Sequence, residues 1–149
     1  MQKVGIIRNK EISYFDIYNF LREKIDLTAC GAIISFVGIV RGVGRNGTKV
    51  KSLYYECEDE IAIKELNEIR NVILSKYKGV KEILIYHHIG NLRTLDDTIY
   101  ILVASGHREE GFKAAKECLE LVKERVHIWK KEITERGAYW IAGDSIVDL

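Results

Sequence analysis

Residues 80–105 read VKEILIYHHIGNLRTLDDTIYILVAS, and this stretch decides the fold class. Two apolar runs rich in β-formers, Val80 to Ile89 and Thr98 to Ser105, flank a polar connection from Gly90 to Asp97. Parallel strands need a crossover of roughly a dozen or more residues, usually a helix. Because this connection is too short for a crossover helix, the two runs are predicted to be antiparallel neighbours in a sheet.

Two long helices are predicted, one before and one after this strand pair in the sequence. From Asp59 to Lys78 apolar residues recur at steps of three and four, and Gly79 follows as a C-terminal stop. A similar stripe begins near Arg108. The stripes are Ala62, Leu66, Ile69, Ile73 and Tyr77, and then Phe112, Ala115, Leu119, Val122 and Val126. Each stripe predicts one apolar helix face.

The N-terminal part predicts a strand followed by a shorter helix. Val4 to Ile7 is a short apolar run suited to a strand. Ser13 with Asp16 three residues later is an N-terminal capping pattern. One apolar helix face is then predicted by Tyr14, Ile17, Tyr18 and Leu21.

Residues 31–41 read GAIISFVGIVR and are apolar on both alternations of a strand. This pattern predicts a central strand covered on both faces. Gly42 to Lys51 is rich in glycine and cations, and Asn46-Gly47 is a hairpin-turn signal. Val50 to Cys57 is therefore predicted to return as an antiparallel strand.

Together these elements predict one α+β domain over residues 1–149. A closing hairpin is expected around Glu135-Arg136-Gly137, between His127 to Ile133 and Ala138 to Ile141. We expect a mixed, largely antiparallel sheet packed by two long helices, with a small β subdomain around the glycine-rich hairpin.

Composition narrows the classes of function. The formal net charge is +1, so no overall field draws the chain to nucleic acid or to a membrane. Met1 to Lys10 lacks the features of a signal peptide, which predicts a cytoplasmic protein. Cys30, Cys57 and Cys118 lack metal or redox spacing and are predicted to be reduced core thiols.

Several cations are candidate anion ligands. His107-Arg108 follows Ser105-Gly106 at a helix start, where unpaired N–H groups and the helix dipole favour an anion. Arg41 ends a predicted strand, while Lys123 and Lys130 lie in and beyond the third helix. Position alone also allows a structural interpretation of these residues. Arg41 fits a solvated strand end, Lys123 fits the solvent-exposed face of a helix, and Lys130 fits an edge strand.

No metal and no cofactor is predicted. His87 and His88 are adjacent on a strand and point to opposite faces, so they cannot easily share one ion. The glycine-rich loop 42–51 carries Arg45 and Lys49, but its spacing is not that of a P-loop. Its role stays open.

Five segments together resemble the large, catalytic subunit of molybdopterin synthase. They are GAIISFVGIVRG (31–42), LYYECEDEIA (53–62), IYHHIGNL (85–92), VASGHREEGFKAAKECLELVKERVHIWKKE (103–132) and YW (139–140). The most specific features are the Gly-x-Val-Arg ending at Arg41, the His-Arg pair after Ser-Gly, and the K-x6-K spacing of Lys123 and Lys130 with Trp before the second lysine. This resemblance implies an α/β-hammerhead type of fold.

The resemblance also implies a reaction and partners. Two sulfurs would be transferred to cyclic pyranopterin monophosphate, giving the dithiolene of molybdopterin in molybdenum cofactor biosynthesis. The donor would be a small ubiquitin-like carrier whose C-terminal Gly-Gly, as a thiocarboxylate, inserts into a pocket of the large subunit. Such a donor removes the need for a reactive cysteine, and a cluster of cations would neutralise both anions. A homodimer of this chain with two carriers would form a heterotetramer.

The resemblance places substrate-binding positions on residues 39–41, His107-Arg108, Lys123 and residues 130–132. It implies that the His-Arg pair comes from the other protomer and that Lys123 lies beside the carrier's C-terminus. Our hypothesis is that Lys123 supplies the main charge stabilisation or proton transfer. The predicted catalytic residues are Lys123 and Lys130, and the predicted substrate ligands are Arg41, His107, Arg108, Lys123, Lys130, Lys131 and Glu132.

Three positions depart from the family pattern. Ile39 stands where many members carry lysine, His88 where many have arginine, and His127 where proline is common. The first lowers the positive charge of the expected pocket. The carrier's identity, the retention of the half-sulfurated intermediate and the metal finally served, molybdenum or tungsten, stay open.

Two other classes of function are compatible with the residues. A non-catalytic α+β domain could dimerise and bind a phosphate metabolite at His107-Arg108 without needing Lys123 or a carrier. A nucleic-acid module could use the basic hairpin from Arg41 to Lys51, although the overall charge argues against it. Catalysis that needs Lys123 would separate the synthase from the first, and steep salt dependence would indicate the second.

Overall fold

A computed structural model describes residues 1–44, 46–142 and 145–147, the last three through their backbone only. The strands are β1 (Val4–Ile7), β2 (Ala32–Ile39), β3 (Val50–Cys57), β4 (Val80–His88), β5 (Gly90–Arg93), β6 (Asp97–Ser105), β7 (Ile128–Thr134), β8 (Gly137–Ala142) and β9 (Ser145–Val147). The helices are α1 (Tyr14–Lys24), α2 (Asp59–Lys76) and α3 (Arg108–Arg125). This arrangement confirms the α+β class.

The first sheet has the strand order β1-β4-β6-β2. β4 and β6 are antiparallel neighbours, as residues 80–105 predict, while β1 runs parallel to β4 and makes the sheet mixed. α2 and α3 pack against one face through the main core, and α1 packs against the other. Because both faces are covered, nearly every residue of β4 and β6 is buried.

The capping pattern predicts the start of α1 correctly, and the spacing of apolar residues predicts the buried face of α2. Ser13 Oγ accepts from the Asp16 backbone N–H at 3.2 Å, and Asp16 Oδ2 accepts from the Ser13 N–H at 2.8 Å, which completes the predicted capping box. In α2 the buried residues are Ala62, Leu66, Ile69 and Ile73, as predicted, whereas Tyr77 is the C-cap residue and is half-buried.

The apolar face of α3 is rotated from the prediction. Phe112 was predicted on the apolar face but is 62% exposed, and its neighbour Gly111 is buried instead. A Cβ at Gly111 would lie 2.4 Å from Ile34 Cδ1, so the helix approaches β2 closely through small residues. The buried face consists of Gly111, Ala114, Ala115, Cys118 and Val122.

The prediction that β2 is a central strand is wrong. It pairs with β6 alone among the described strands and therefore lies at the edge of the first sheet. Its side chains alternate, with Val37 36% and Ile39 51% exposed. An apolar pattern on both faces indicates burial but does not reveal which element, or which partner, covers the strand.

The second sheet has the order β5-β3-β7-β8-β9 and forms the β subdomain. The predicted return of β3 along β2 is wrong, because β3 pairs with β5 and β7. The loop nevertheless turns back at Gly47, with φ +70°, and Val43 bridges Lys49. The closing hairpin of β7 and β8 is confirmed, and part of the predicted polar connection forms β5.

All three cysteines are unpaired thiols. Cys118 is buried, as predicted, whereas Cys30 and Cys57 are half-buried. Burial raises the pKa of Cys118 to about 12, and burial together with the Asp59 carboxylate raises the pKa of Cys57 to about 11. No helix in the described part of the chain has the length and apolarity needed to cross a membrane.

Candidate active site

A cleft of about 610 Å³ opens between the C-terminal half of α3, the end of the first sheet and the second sheet. This volume is within the range of small-molecule sites. Leu119 and Val122 of α3, together with Val126 just beyond its end, form one apolar wall. The remaining lining mixes apolar and polar or charged side chains from strands of both sheets and from the loop after β2.

Lys123 lies at the rim of the cleft on α3. Its neighbours Val122 and Val126 are buried and fix the last turn of the helix against the core. Lys123 itself is exposed, and among the described residues no ion pair engages it. The helix therefore presents a cation to the cleft on a rigid support.

β7 contributes a second lysine through strand alternation. Lys130 and Glu132 line the cleft, whereas Lys131 points to the opposite face of the strand. The Lys131 Nζ lies 5.6 Å from the centroid of the Trp140 ring on that face. Lys131 is therefore not brought into the cleft within this chain.

The Gly-x-Val-Arg motif places Arg41 at the cleft. A Cβ at Gly38 would lie 2.5 Å from Thr98 Oγ1, so a larger residue there would force the packing against β6 to shift, and a bulge follows this glycine. Val40 is fully buried, its N–H donates to Asp96 O at 2.9 Å, and its carbonyl accepts from Leu95 N at 2.8 Å. Arg41 then emerges exposed among the lining residues.

The His107-Arg108 pair lies far from this cleft within one chain. It begins α3, whereas Lys123 is near the other end, roughly 22 Å away at about 1.5 Å per residue. Both residues are exposed, and His107 is the N-cap residue without a side-chain capping bond. The cleft thus brings together Arg41, Lys123, Lys130 and Glu132, but not His107, Arg108 or Lys131.

The cleft floor contains polar residues that the sequence reasoning missed. His87 and Tyr55 are both buried, and their rings meet edge-on with centroids 4.8 Å apart. Burial is the main cause that lowers the pKa of His87 to about 4 and raises that of Tyr55 to about 12. Strand alternation predicts that His87 and His88 point to opposite faces, but it does not predict which of them reaches a cleft.

The two histidines do lie on opposite faces. His87 lines the cleft, while His88 Nε2 is 3.0 Å from the Tyr100 hydroxyl on the α1 side. Within residues 1–44 and 46–142, no group of three His, Cys, Asp or Glu side chains could hold a metal ion. Arg136 and Tyr139, near the β7–β8 turn, also line the cleft and were not predicted.

Comparison with known proteins places the sequence in a family. The model of the family described as MoaE protein matches residues 7–125. The chain is also 41% identical over 147 residues to the molybdopterin synthase catalytic subunit of Pyrococcus abyssi, covering 99% of this chain and 96% of that protein. The chain belongs to the MoaE family. A longer family member, from Drosophila sechellia, is 37% identical over 85% of this chain, which spans 33% of that protein.

Two solved structures share the fold. Molybdopterin synthase from Staphylococcus aureus superposes with a TM-score of 0.82 at 33% identity, covering 95% of this chain and 98% of that one. A complex of subunits 1 and 2 of molybdopterin-converting factor from Helicobacter pylori gives a TM-score of 0.73 at 17% identity, covering 97% of this chain and 93% of that one. The second likeness shows the fold alone.

Proposed function

We propose that this MoaE-family chain is the catalytic subunit of a molybdopterin synthase and acts as a sulfurtransferase. It would transfer two sulfurs from a thiocarboxylated carrier protein to cyclic pyranopterin monophosphate. The observation that carries the proposal is the cleft in which Lys123 of α3 and Lys130 of β7 converge from different layers of the fold. The 41% sequence identity to the Pyrococcus abyssi catalytic subunit over nearly the whole chain supports the proposal.

The cleft suits two anionic reactants. Arg41, Lys123 and Lys130 line it, with Glu132 as a nearby carboxylate. Negative charge that develops as the carrier's sulfur attacks the pterin would be stabilised most by preorganised cations in a partly dry site. We assign this role, or proton transfer, to Lys123, because it stands on a rigid helix at the cleft rim.

The apolar wall suits the carrier's tail. A C-terminal Gly-Gly has no side chains, so it could lie extended along Leu119, Val122 and Ile128 while its charged end reaches the lysines. A second subunit as partner is supported by the Helicobacter pylori structure, which is a complex of subunits 1 and 2 of molybdopterin-converting factor. We propose that the partner of this chain is the small carrier. We expect residues 1–149 to act as one domain, and the reaction to take place in the cytoplasm.

A dimer would complete the site. Because His107-Arg108 lies roughly 22 Å from Lys123 along α3, it could serve the cleft only from a partner protomer. The pair would then hold the pterin phosphate together with Arg41, at the positive end of a helix dipole. Two copies of this chain and two carriers would form a heterotetramer. Lys131 lies on the face of β7 that points away from the cleft, so it would bind substrate only if the assembly brings that face toward the cleft of another protomer.

The test is dithiolene formation from cyclic pyranopterin monophosphate and thiocarboxylated carrier. We expect product with the wild-type chain, none without it, and a loss of about 100-fold or more with Lys123→Ala, because one stabilising charge is removed from the transition state. Lys116→Ala, an exposed lysine of the same helix outside the cleft, is the matched control and should remain active.

Two outcomes would count against the proposal. Near-normal turnover by a folded Lys123→Ala variant would remove the role of Lys123. Absence of product with the wild type, while the pterin phosphate still binds, would favour a non-catalytic binding domain.

A further inference from the structure

His87 is a buried imidazole at the cleft floor to which the proposed reaction gives no role. It lies near the end of β4 and is 7% exposed. Its ring packs edge-on against Tyr55 of β3, so it sits where the two sheets meet. The cleft wall at this point is formed by side chains of both sheets.

The tautomer of His87 is fixed by the backbone. Its Nδ1 lies 2.6 Å from the carbonyl oxygen of His88, and a carbonyl oxygen can only accept a hydrogen bond. Nδ1 therefore donates, and Nε2 keeps its lone pair. Burial lowers the pKa of His87 to about 4 although the bond to the His88 carbonyl opposes it, and the charges of His88 and Lys130 add smaller lowering effects. The ring is therefore neutral at physiological pH.

Lys130 shares the cleft floor with this lone pair. It stands directly opposite Tyr55 in the antiparallel pairing of β3 and β7, so both side chains lie on the same face. Tyr55 in turn contacts His87, and all three line the cleft. A lysine ammonium has three donors, and a neutral imidazole nitrogen can accept from it without cancelling its charge. Glu132, also on this face, would partly neutralise it.

We propose that His87 is the positioning residue for Lys130: its Nε2 accepts a hydrogen bond from the ammonium and directs that charge toward the reacting sulfur. This inference rests on the proposed sulfur-transfer function. Lys123 and Arg41 face the same cleft, and their repulsion would otherwise turn Lys130 toward Glu132. His87 would thus keep Lys130 positively charged and keep its ammonium group directed toward the reacting sulfur.

A double-mutant cycle tests the coupling. His87→Phe keeps a ring against Tyr55 but removes the acceptor, and we expect single-turnover sulfur transfer to slow by about tenfold or more with little change in pterin KM. In a Lys130→Met background the same change should cause no further loss, because its target is gone. An equal loss in both backgrounds would show a structural role only.

His88→Phe is the matched control. His88 is adjacent on the same strand and similarly buried, at 3% exposed, but faces Tyr100 on the opposite side of the sheet. Its effect on the rate should be small and should add to that of Lys130→Met. If His87→Phe does not fold, His87→Gln offers an amide oxygen as acceptor and should retain most turnover. A severe loss in the folded Gln variant would contradict the proposal.

A measurement without turnover separates this inference from the proposed function. In the protein with ¹⁵N-labelled histidine, His87 should show a protonated Nδ1 and an unprotonated Nε2 that accepts a hydrogen bond. Lys130→Met should shift the Nε2 resonance toward the value of an unbonded nitrogen. An Nε2 resonance that does not respond to Lys130→Met would overturn the inference even if the wild type makes dithiolene. A wild type that makes none would leave this readout intact and would count against the proposed function alone.

Discussion

Glu82 is a buried carboxylate held by three donors. It pairs with Lys3 and Arg70, and it also accepts from the backbone N–H of Ile83 at 3.0 Å. Burial alone would raise the pKa of Glu82, but the bonds from Lys3, Arg70 and Ile83 outweigh it and hold the pKa below its ordinary value. The folded carboxyl therefore binds fewer protons than the unfolded one.

This linkage gives a pH-dependent stability. The contribution of ionised Glu82 to the free energy of unfolding should be fully present above the ordinary glutamate pKa of about 4.3. It should be lost as the pH falls through the lower pKa that Glu82 has in the folded protein. Glu82→Gln should cost about 2 kcal/mol of unfolding free energy at pH 7, because two cations lose their charged partner. It should also flatten the decline of stability in acid.

Denaturant unfolding of wild type and Glu82→Gln between neutral pH and about pH 3 checks both effects. Glu68→Gln, an exposed glutamate of the same helix as Arg70, is the control and should stay within about 0.5 kcal/mol of wild type. Parallel pH profiles for wild type and Glu82→Gln would show that Glu82 is not the titrating group.

Residue-scale features differ in how far the sequence predicts them. The capping box of Ser13 and Asp16 is predictable because both partners lie within one helical turn. The environment of His87 is not, because it is created by Tyr55 from another sheet. Alternation shows that His87 and His88 diverge, but not which of them reaches a cleft.

At the scale of elements, Glu65 of α2 binds His127, the residue that directly precedes β7. Its carboxylate accepts from the His127 backbone N–H at 3.0 Å and from His127 Nδ1 at 2.6 Å. This contact holds the connection along which the chain passes from Lys123 to Lys130. We expect Glu65→Ala to speed amide exchange at His127 about tenfold, because its acceptor is lost.

Hydrogen exchange read by mass spectrometry or NMR measures this opening, with Glu68→Ala as the control on the same helix. Sulfur transfer should slow as well, though less than with Lys123→Ala, since both lysines remain. Unaltered exchange at His127 would mean that the junction is held by its apolar neighbours instead.

Elements whose partners are close in sequence were predicted, and those with distant partners were not. The β4–β6 and β7–β8 pairs follow from short connections. β3 pairs with β5 and β7 although the turn before it points back to β2, because pairing is settled by packing across the molecule. Phe112 was misplaced because the close approach of Gly111 to Ile34 rotates α3.

At the scale of the whole molecule, the separation of His107-Arg108 from Lys123 predicts complementation between protomers. Neither Lys123→Ala nor Arg108→Ala dimers should be active. After the two variants are unfolded together and refolded, half of the dimers are mixed, and each mixed dimer carries one intact site. About a quarter of wild-type turnover should therefore return.

Dithiolene formation by the refolded mixture, compared with each variant refolded by itself, measures this recovery. A mixture of Lys123→Ala with Lys130→Ala is the control, because both lysines belong to the same cleft and mixed dimers gain no intact site. If the Arg108 mixture stays as inactive as that control, the pair acts within its own chain or not at all.

The joint between α3 and β7 consists of Val126 and His127 alone. Side chains of a strand alternate, so one residue added or removed there would turn Trp129 and Lys131 inward and Lys130 outward. Insertions and deletions at this joint should therefore be disfavoured. The number of residues between the two lysines therefore fixes which face of β7 carries Lys130, and with it the side of the strand on which the second charge stands.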